Sequence, residues 1–342
     1  MAEVRSPLVI PLFIAHQGCP HRCVFCNQES ITGRQGAASQ PMRAAEVVAT
    51  IDGWLARSGN DPRRAVQVAF YGGSFTALDR GYQQELLAAV QPYLEAGRVG
   101  TIRLSTRPDA IDAATVSFLR THGVGVVELG VQAMDDRVLA ASGRGHAVAD
   151  VAAAFRLLRE GGMRVGGQLM IGLPGETTVS ALTGARALAA LAPDFVRIYP
   201  TLVIRGSALA ARYAAGAYRP LTLWQAVARC ARLKAVFDRN RIPVVRMGLQ
   251  PSPSLERDLL AGPYHPAFGE LVLARIFFNR VRSLLAAIPA DATRTLSIAS
   301  ADLSIYRGQR NLSVQRLAAL GLSSRMQLRL DPGQPRQTPR LL

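Results

Sequence analysis

Residues Leu8 to Cys26 read LVIPLFIAHQGCPHRCVFC, an apolar run followed directly by a loop that holds three of the four cysteines in the chain. The apolar part, Leu8 to Ala15, predicts a buried β-strand. The cysteines, Cys19, Cys23 and Cys26, have the spacing C-x3-C-x2-C. Folds built from parallel strands carry their chemistry on loops at the carboxyl ends of those strands. We therefore expect a functional site at this end of the first strand.

Short apolar runs alternate with helical patterns over the first 250 residues. Such alternation predicts an α/β fold with parallel strands joined by crossover helices. Asp112 and Thr177 are predicted to cap two of the helices. Six strand–helix units form either an open sheet or a partial barrel, and the periodicity does not choose between them. Further strands are predicted at 66–71, 101–106, 124–131, 165–171, 195–200 and 244–249, and helices at 43–57, 81–94, 109–121, 149–160, 179–190 and 221–238.

The turn-rich stretch Pro251-Ser252-Pro253-Ser254 predicts a domain boundary. We expect a core domain over residues 1–250 and a small C-terminal α+β extension over residues 251–342. The last ten residues are expected to fray because they lack an apolar periodicity. Within the extension, helices are predicted at 265–287 and 313–320 and strands at 295–299 and 326–330.

The composition is that of a globular protein. Of the 342 residues, 49% are hydrophobic and 19% are charged, which argues against a disordered or fibrous chain. The longest apolar runs are far shorter than the 18 or so residues that a membrane-spanning helix needs. The N-terminus also lacks the pattern of a secretion signal. We therefore expect a cytoplasmic protein with no membrane partner.

The formal net charge is +16, from 40 basic and 24 acidic residues. A field of this sign attracts polyanions such as RNA. Only one of the basic residues is a lysine, Lys234, and the arginines are spread along the chain without forming a basic tail. Composition alone therefore leaves a nucleic-acid partner open.

The three clustered cysteines predict a metal centre. Soft thiolate ligands favour zinc or iron–sulfur over hard cations. An ordinary [4Fe–4S] site uses four cysteines, so three would leave one iron open to another ligand. The alternatives are a zinc site completed by His16 or His21 and a redox pair of Cys23 with Cys26, although the redox pair leaves Cys19 unexplained.

The fourth cysteine, Cys230, shares an apolar helix face with Val227, Leu233 and Phe237. It is therefore predicted to be a buried core thiol and is not counted as a ligand.

Other candidate residues follow predicted strands. Gly72 and Gly73 would let the backbone approach a ligand closely. Ser105 and Arg107 suit a carboxylate or a ribose, although a solvated arginine in a helix-start loop is an equal alternative.

Glu128 and Gln132 share one face of the fourth predicted strand. Buried polar groups of this kind need partners, which would be either a ligand or a polar network inside the barrel.

The cysteine loop, with Phe25 directly before its last cysteine, resembles the signature of the radical S-adenosylmethionine (SAM) superfamily. Three further segments resemble SAM-binding segments of that family. Gly72-Gly73 is similar to its Gly-Gly-Glu motif, with Ser74 where many members have glutamate. Arg144 lies in a segment where an arginine approaches the SAM carboxylate, and Gly172 lies in the strand end that contacts adenine.

This resemblance implies a partial (β/α)6 TIM-like barrel with the C-terminal extension attached. It also implies a [4Fe–4S] cluster on Cys19, Cys23 and Cys26, whose fourth iron binds S-adenosyl-L-methionine. The reduced cluster of such enzymes cleaves SAM to a radical that abstracts a substrate hydrogen. An external electron donor of the flavodoxin or ferredoxin type is implied as well. The residues implied for SAM binding are Phe25, Gly72, Gly73, Ser105, Arg107, Glu128, Gln132, Arg144 and Gly172.

The segments around Ser105, Glu128 and Arg197 resemble the branch of the elongator catalytic subunit, which modifies tRNA wobble uridines. This implies tRNA or another RNA as substrate. Residues 251–342 lack the acetyl-CoA phosphate loop of that subunit, so acetyl transfer is not expected. Two alternatives stay open at this point, namely a radical SAM enzyme acting on a small anionic metabolite such as a porphyrin, and a non-catalytic zinc-bearing RNA-binding protein.

Overall fold

The computed structural model describes residues 7–14, 19, 21–27, 41–58 and 64–342. Its strands, in chain order, are β1 Leu8–Ile14, β2 Val66–Gly72, β3 Thr101–Thr106, β4 Val124–Gln132, β5 Arg164–Ile171, β6 Phe195–Pro200, β7 Val203–Ile204, β8 Val244–Met247, β9 Leu259–Ala261, β10 Arg294–Ala299, β11 Met326–Asp331 and β12 Arg340–Leu341. Its α-helices are α1 Ala44–Ser58, α2 Arg80–Ala88, α3 Gln91–Glu95, α4 Ala113–Thr121, α5 Asp136–Ala141, α6 Val148–Glu160, α7 Thr178–Ala190, α8 Ala208–Ala214, α9 Leu223–Arg239, α10 Pro253–Asp258, α11 Phe268–Ala286, α12 Leu303–Arg307 and α13 Leu312–Ala319.

A curled, all-parallel sheet of seven strands forms the half-barrel of the protein, in the order β1-β2-β3-β4-β5-β6-β8. Side chains alternate between its two faces. In β1, for example, Leu8, Ile10, Leu12 and Ile14 are buried in the helix-covered core, whereas Phe13 on the other face is 39% exposed. The predicted α/β partial barrel is confirmed, and the apolar run at 244–249 supplies its seventh strand.

Helix boundaries follow the local capping chemistry. The Asp112 carboxylate accepts a hydrogen bond from Thr115 N at 2.7 Å, and the Thr177 hydroxyl accepts one from Ser180 N at 3.0 Å. Both predicted caps are therefore confirmed. The helix predicted over 81–94 is instead two helices, α2 and α3. Pro92 lies in the first turn of α3, where its missing N–H is tolerated, but it cannot continue a preceding helix.

The C-terminal extension has its own small sheet, in the order β11-β10-β12, and its own apolar cluster of buried residues that begins at Phe277. Helix α11 is shared, since Phe268, Leu271 and Val272 at its start are buried in the core of the half-barrel. The domain division at 250/251 stays a prediction.

The expectation that the last ten residues fray is wrong. Arg340 and Leu341 pair antiparallel with Ser297 and Leu296, and Gln334 is buried with its amide donating to Ser297 O. Backbone pairing and one buried amide replace the missing apolar periodicity as the source of order. No helix in the described part of the chain is long and apolar enough to cross a membrane.

Candidate functional site

The cysteine loop follows β1 and is fixed to two later segments by backbone hydrogen bonds. Val24 N donates to Ser142 O at 3.0 Å, and Leu209 N donates to Val24 O at 2.7 Å. Cys26 N donates to Cys23 O and closes a tight turn between those two ligand candidates. Of the three cysteines, Cys19 is exposed, Cys23 is buried and Cys26 is half-buried. The loop is thus held by long-range contacts at the carboxyl edge of the sheet.

Arg144 contacts this loop directly. Its Nη1 donates to Cys23 Sγ at 3.1 Å, and its Nη2 donates to Gly130 O at 2.7 Å. The flanking Gly145 has a φ of +69°, and a Cβ there would lie 2.3 Å from the His21 ring, so this turn requires glycine. The structure therefore brings Arg144 into contact with the cysteine loop, while its expected role at the SAM carboxylate stays a prediction.

Arg107 is buried and contacts the backbone of Arg144. Its guanidinium binds both carboxylate oxygens of Asp109, at 3.0 and 2.8 Å, and donates to Arg144 O at 2.5 Å. These contacts make Arg107 a residue that positions Arg144. One donor of each arginine, Arg107 Nη1 and Arg144 Nε, is buried without an acceptor among the described residues.

His146 lies in the same cluster. Burial, and then the charge of Arg144, lower the pKa of this buried histidine to about 4, so it is neutral at pH 7.

Gly72 ends β2, and Gly73 and Ser74 follow it in the loop. A Cβ on Gly72 would lie 2.6 Å from the backbone oxygen of Ile14, and its φ is +111°, so the two strand ends approach as closely as they do because residue 72 is glycine. Ser74 is buried, and its Oγ accepts a hydrogen bond from Cys19 Sγ at 3.5 Å. The glycine pair is therefore beside the cysteine loop, and the serine that replaces the expected glutamate touches a ligand candidate.

Glu128 is the centre of a polar network on the concave face of the sheet. Its carboxylate accepts from Tyr71 OH at 3.0 Å and from Arg103 Nη1 at 3.2 Å. Arg197 binds it from β6, with Nε 2.9 Å from Oε2 and Nη2 3.1 Å from Oε1. Burial raises the pKa of Tyr71, as does, to a smaller extent, the Glu128 charge. The partners of Glu128 thus come from the protein, in the polar network that the sequence left as one alternative.

Gln132 lies beside Arg144, and Ser105 lies beside Glu128. Gln132 has a φ of +65° at an irregularity in the β4–β5 pairing, and its Oε1 accepts from Gln168 Nε2 at 3.2 Å. A Cβ on Gly130 would lie 3.0 Å from the Gln132 amide and 3.3 Å from Arg144 Nη2, which places both side chains against Gly130. Ser105 is paired in register with Glu128.

Gly172 forms a separate hydrogen-bonded group at the end of β5. Its N–H donates to Glu176 Oε2 at 2.5 Å, and its carbonyl accepts from Tyr218 OH at 2.6 Å. Arg229 is 2.9 Å from the same carboxylate oxygen, yet burial dominates and raises the pKa of Glu176 to about 7. Phe25 connects this region to the cysteine loop, because it packs against an apolar cluster that contains Leu173.

The sequence did not single out Arg103, Tyr71 or the contact of Ser74 with Cys19. Arg103 could have been found, because it lies two residues before Ser105 on the same face of β3. Its pairing with Glu128 depends on the register of strands distant in sequence and leaves no local signal.

The cysteine loop offers the three thiol groups that a [4Fe–4S] cluster with one open iron needs. Among the described residues, no three His, Cys, Asp or Glu side chains are gathered as they would be around one metal ion. A [4Fe–4S] cubane does not need that arrangement, since each cysteine binds a different iron. Three thiol ligands in one anchored loop, with an arginine at Cys23 and unpartnered buried guanidinium donors beside it, fit such a cluster and an anionic ligand.

Two family models match the chain. The model of the radical SAM superfamily matches residues 13–180, and that of the radical SAM C-terminal domain matches residues 193–277. Among curated relatives, a tRNA uridine(34) acetyltransferase of Dehalococcoides mccartyi is 28% identical over 230 residues, which cover 59% of this chain and 50% of the relative. Elongator complex protein 3 of Homo sapiens is 31% identical over 179 residues, which cover 51% and 32%. The chain spans about half the length of the acetyltransferase.

A solved structure has the same fold. The archaeal Elp3 of Methanocaldococcus infernus superposes with a TM-score of 0.62 at 21% identity, over 80% of this chain and 63% of the other. The two matched models together span most of the chain, from the end of β1 through the cysteine loop to the first half of α11. The chain therefore belongs to the radical SAM superfamily and is a radical SAM enzyme similar to the Elp3 group.

Proposed function

We propose that this enzyme uses a [4Fe–4S] cluster and SAM to abstract a hydrogen atom from an RNA substrate. Cys19, Cys23 and Cys26 would hold the cluster, which when bound and reduced supplies the electron for the cleavage of SAM. The observation that carries the proposal is the contact of Arg144 with Cys23. It places a buried cation and its unpartnered donor beside the loop that would bind the cluster.

The chain's own residues would bind SAM by two kinds of contact. Arg144 offers a guanidinium to the SAM carboxylate, and Arg107 holds it there through the Arg144 carbonyl. Gly72 and Gly73 have no side chains, so a ligand can approach their backbone groups closely. Phe25, Ser105, Gln132 and Gly172 remain proposed contacts because they border the same edge of the sheet. Glu128 would hold Arg103, Tyr71 and Arg197 in place on the concave face. These three side chains would in turn define the shape of the substrate cavity.

RNA is the substrate class we favour. The net charge of +16 suits a polyanion, and the curated relatives named above include a tRNA uridine(34) acetyltransferase. A small anionic metabolite is the second candidate, because Arg197 and Arg246 both lie on strands of the concave face. A protein of the flavodoxin or ferredoxin type would supply the electron, and we propose a cytoplasmic location.

The test of the chemistry is anaerobic reconstitution with iron and sulfide, followed by measurement of 5′-deoxyadenosine in the presence of SAM and dithionite. Cys23→Ala is expected to lose the cluster absorbance and to abolish 5′-deoxyadenosine formation. Cys230→Ala is the matched control, since it also removes a buried thiol but lies in the apolar core of α9. We expect it to retain both signals.

Colourless protein that holds zinc and does not cleave SAM would refute the radical chemistry in favour of the zinc-bearing alternative. An active Cys23→Ala variant would refute the ligand assignment. The substrate class is tested separately by binding of unfractionated tRNA, which should weaken steeply as salt is added. No binding at low salt by an enzyme that cleaves SAM would favour the small metabolite.

A further inference from the structure

Four arginines from three helices meet on the outer surface of the protein. They are Arg232 on α9, Arg275 and Arg282 on α11, and Arg316 on α13, and we call them the arginine patch. Helices α9 and α13 both pack against α11. The Arg316 guanidinium lies 5.1 Å from the centre of the Phe278 ring. Phe278 is one turn from both Arg275 and Arg282 on α11, so Arg316 lies over the turn that separates them.

Among the residues that the structure describes, no carboxylate forms an ion pair with the arginine patch. Arg275 is half-buried, and burial, followed by the charges of Arg316, Arg282 and Arg232, lowers the pKa of its guanidinium. None of the four has an ion-pair partner within the described ranges, in contrast to Arg197 and Arg229. Like charges gathered without counter-ions repel one another, and a bound anion would relieve that repulsion.

We propose that the arginine patch binds the phosphodiester backbone of the RNA substrate and so anchors it to the outside of the half-barrel. The proposal rests on the RNA substrate of the proposed function. Guanidinium groups present planar pairs of N–H donors that match the oxygens of a phosphate. Arg232, Arg282 and Arg316 are exposed and can make such contacts.

The position of the arginine patch favours RNA over an acidic electron-donor protein. Helix α9 connects β6 to β8, at the edge of the sheet opposite β1, which carries the cysteine loop. An electron donor must approach the cysteine loop itself. An RNA is long enough to contact the arginine patch while one of its nucleotides enters the concave face.

The test compares two triple variants with the same change in net charge. One is Arg232→Gln/Arg282→Gln/Arg316→Gln, and the control is Arg120→Gln/Arg159→Gln/Arg186→Gln, which removes three exposed arginines from α4, α6 and α7. Binding of unfractionated tRNA to the reconstituted enzyme is measured at several KCl concentrations. We expect the patch variant to bind roughly tenfold more weakly and its slope of log Kd against log salt to fall by about 2 to 3. The control variant should stay within about threefold of wild type.

Equal losses in the two triple variants would overturn the proposal, because net charge alone would then explain the binding. Wild-type enzyme that cleaves SAM but binds no tRNA would overturn both the patch and the RNA substrate while leaving the radical chemistry intact. Patch-dependent binding to phosphatidylserine vesicles with unchanged tRNA binding would assign the surface to a membrane instead. The single variant Arg282→Gln serves if the triple does not fold, and its slope should fall by about 1.

Discussion

Replacement of Glu128 by alanine tests whether its network holds the concave face together. In the structure this buried carboxylate is the shared acceptor for Arg103, Arg197 and the Tyr71 hydroxyl. Glu128→Ala would leave the largely buried guanidinium groups of Arg103 on β3 and Arg197 on β6 with no counter-charge between them.

The expected loss of stability is large because Arg103, Arg197 and Tyr71 remain buried after their shared acceptor is removed. Breaking a buried ion pair by removing one member destabilises a protein by about 3–5 kcal/mol, since the remaining charge is desolvated and unpaired. With about 2.1 cal/mol/K of unfolding entropy per residue, the 342-residue chain should melt roughly 4–7 °C lower. Glu128→Gln keeps an acceptor for Tyr71 but no charge, so its loss should be intermediate.

The assay is urea unfolding of the apo enzyme, with neither cluster nor SAM present. Measurement in the apo state separates a role in the protein network from a role in SAM binding. Glu160→Ala is the control, because Glu160 forms only an exposed i,i+4 pair with Arg156, and its loss should stay below about 0.5 kcal/mol. An apo Glu128→Ala variant as stable as Glu160→Ala would refute the network as a source of stability and return Glu128 to the proposed SAM contacts.

Three further predictions concern the loops around the site. Cys19 would bind a cluster as a thiolate with no proton to donate, so the Ser74 hydroxyl, 3.5 Å from its sulfur, would then be the donor. Ser74→Ala removes this hydrogen bond and should lower the midpoint potential of the cluster by roughly 20–60 mV in an EPR titration without SAM, whereas Ser74→Thr, which keeps the hydroxyl, should not. Glu176 binds its proton more tightly in the folded state, so folding stability should fall by ~2–3 kcal/mol as pH rises from about 4.5 through about 7, and a pH-independent difference between wild type and Glu176→Gln in urea unfolding would contradict this. Gly145→Ala should prevent the His21 contact and reduce the iron bound per chain, whereas Gly97→Ala, whose Cβ meets nothing within 4 Å, should retain its iron.

Much of the architecture was predictable because it depends on local patterns. Apolar runs located all seven strands of the half-barrel to within about two residues. Asp112 and Thr177 fixed helix starts through hydrogen bonds to residues three positions later. The broken helix at Pro92 was missed although its cause is local, and the ordered C-terminus was missed because its pairing partners are some 44 residues away.

The candidate site also has one part that local sequence predicted and another part that depends on contacts between remote residues. The spacing of the cysteines is a property of eight consecutive residues, so the sequence alone indicated the cluster and the family. Arg144 lies 121 residues from Cys23, and the sequence did not predict its contact with that sulfur; the resemblance implied only that Arg144 approaches the SAM carboxylate. Arg107 donates to the Arg144 carbonyl, and Arg103 and Arg197 bind Glu128. These contacts depend on how segments remote in sequence are aligned, so the sequence alone did not reveal them.

The sequence by itself therefore determined the order of strands and helices, the cysteine loop and the excess of positive charge. Only the tertiary structure decided which charges meet. It pairs Arg103 and Arg197 with Glu128, and it gathers Arg232, Arg275, Arg282 and Arg316 with no ion-pair partner in the part of the chain that is described. The reason is physical. Secondary structure responds to neighbours a few residues apart, whereas an ion pair depends on distances in space that are set when remote segments pack.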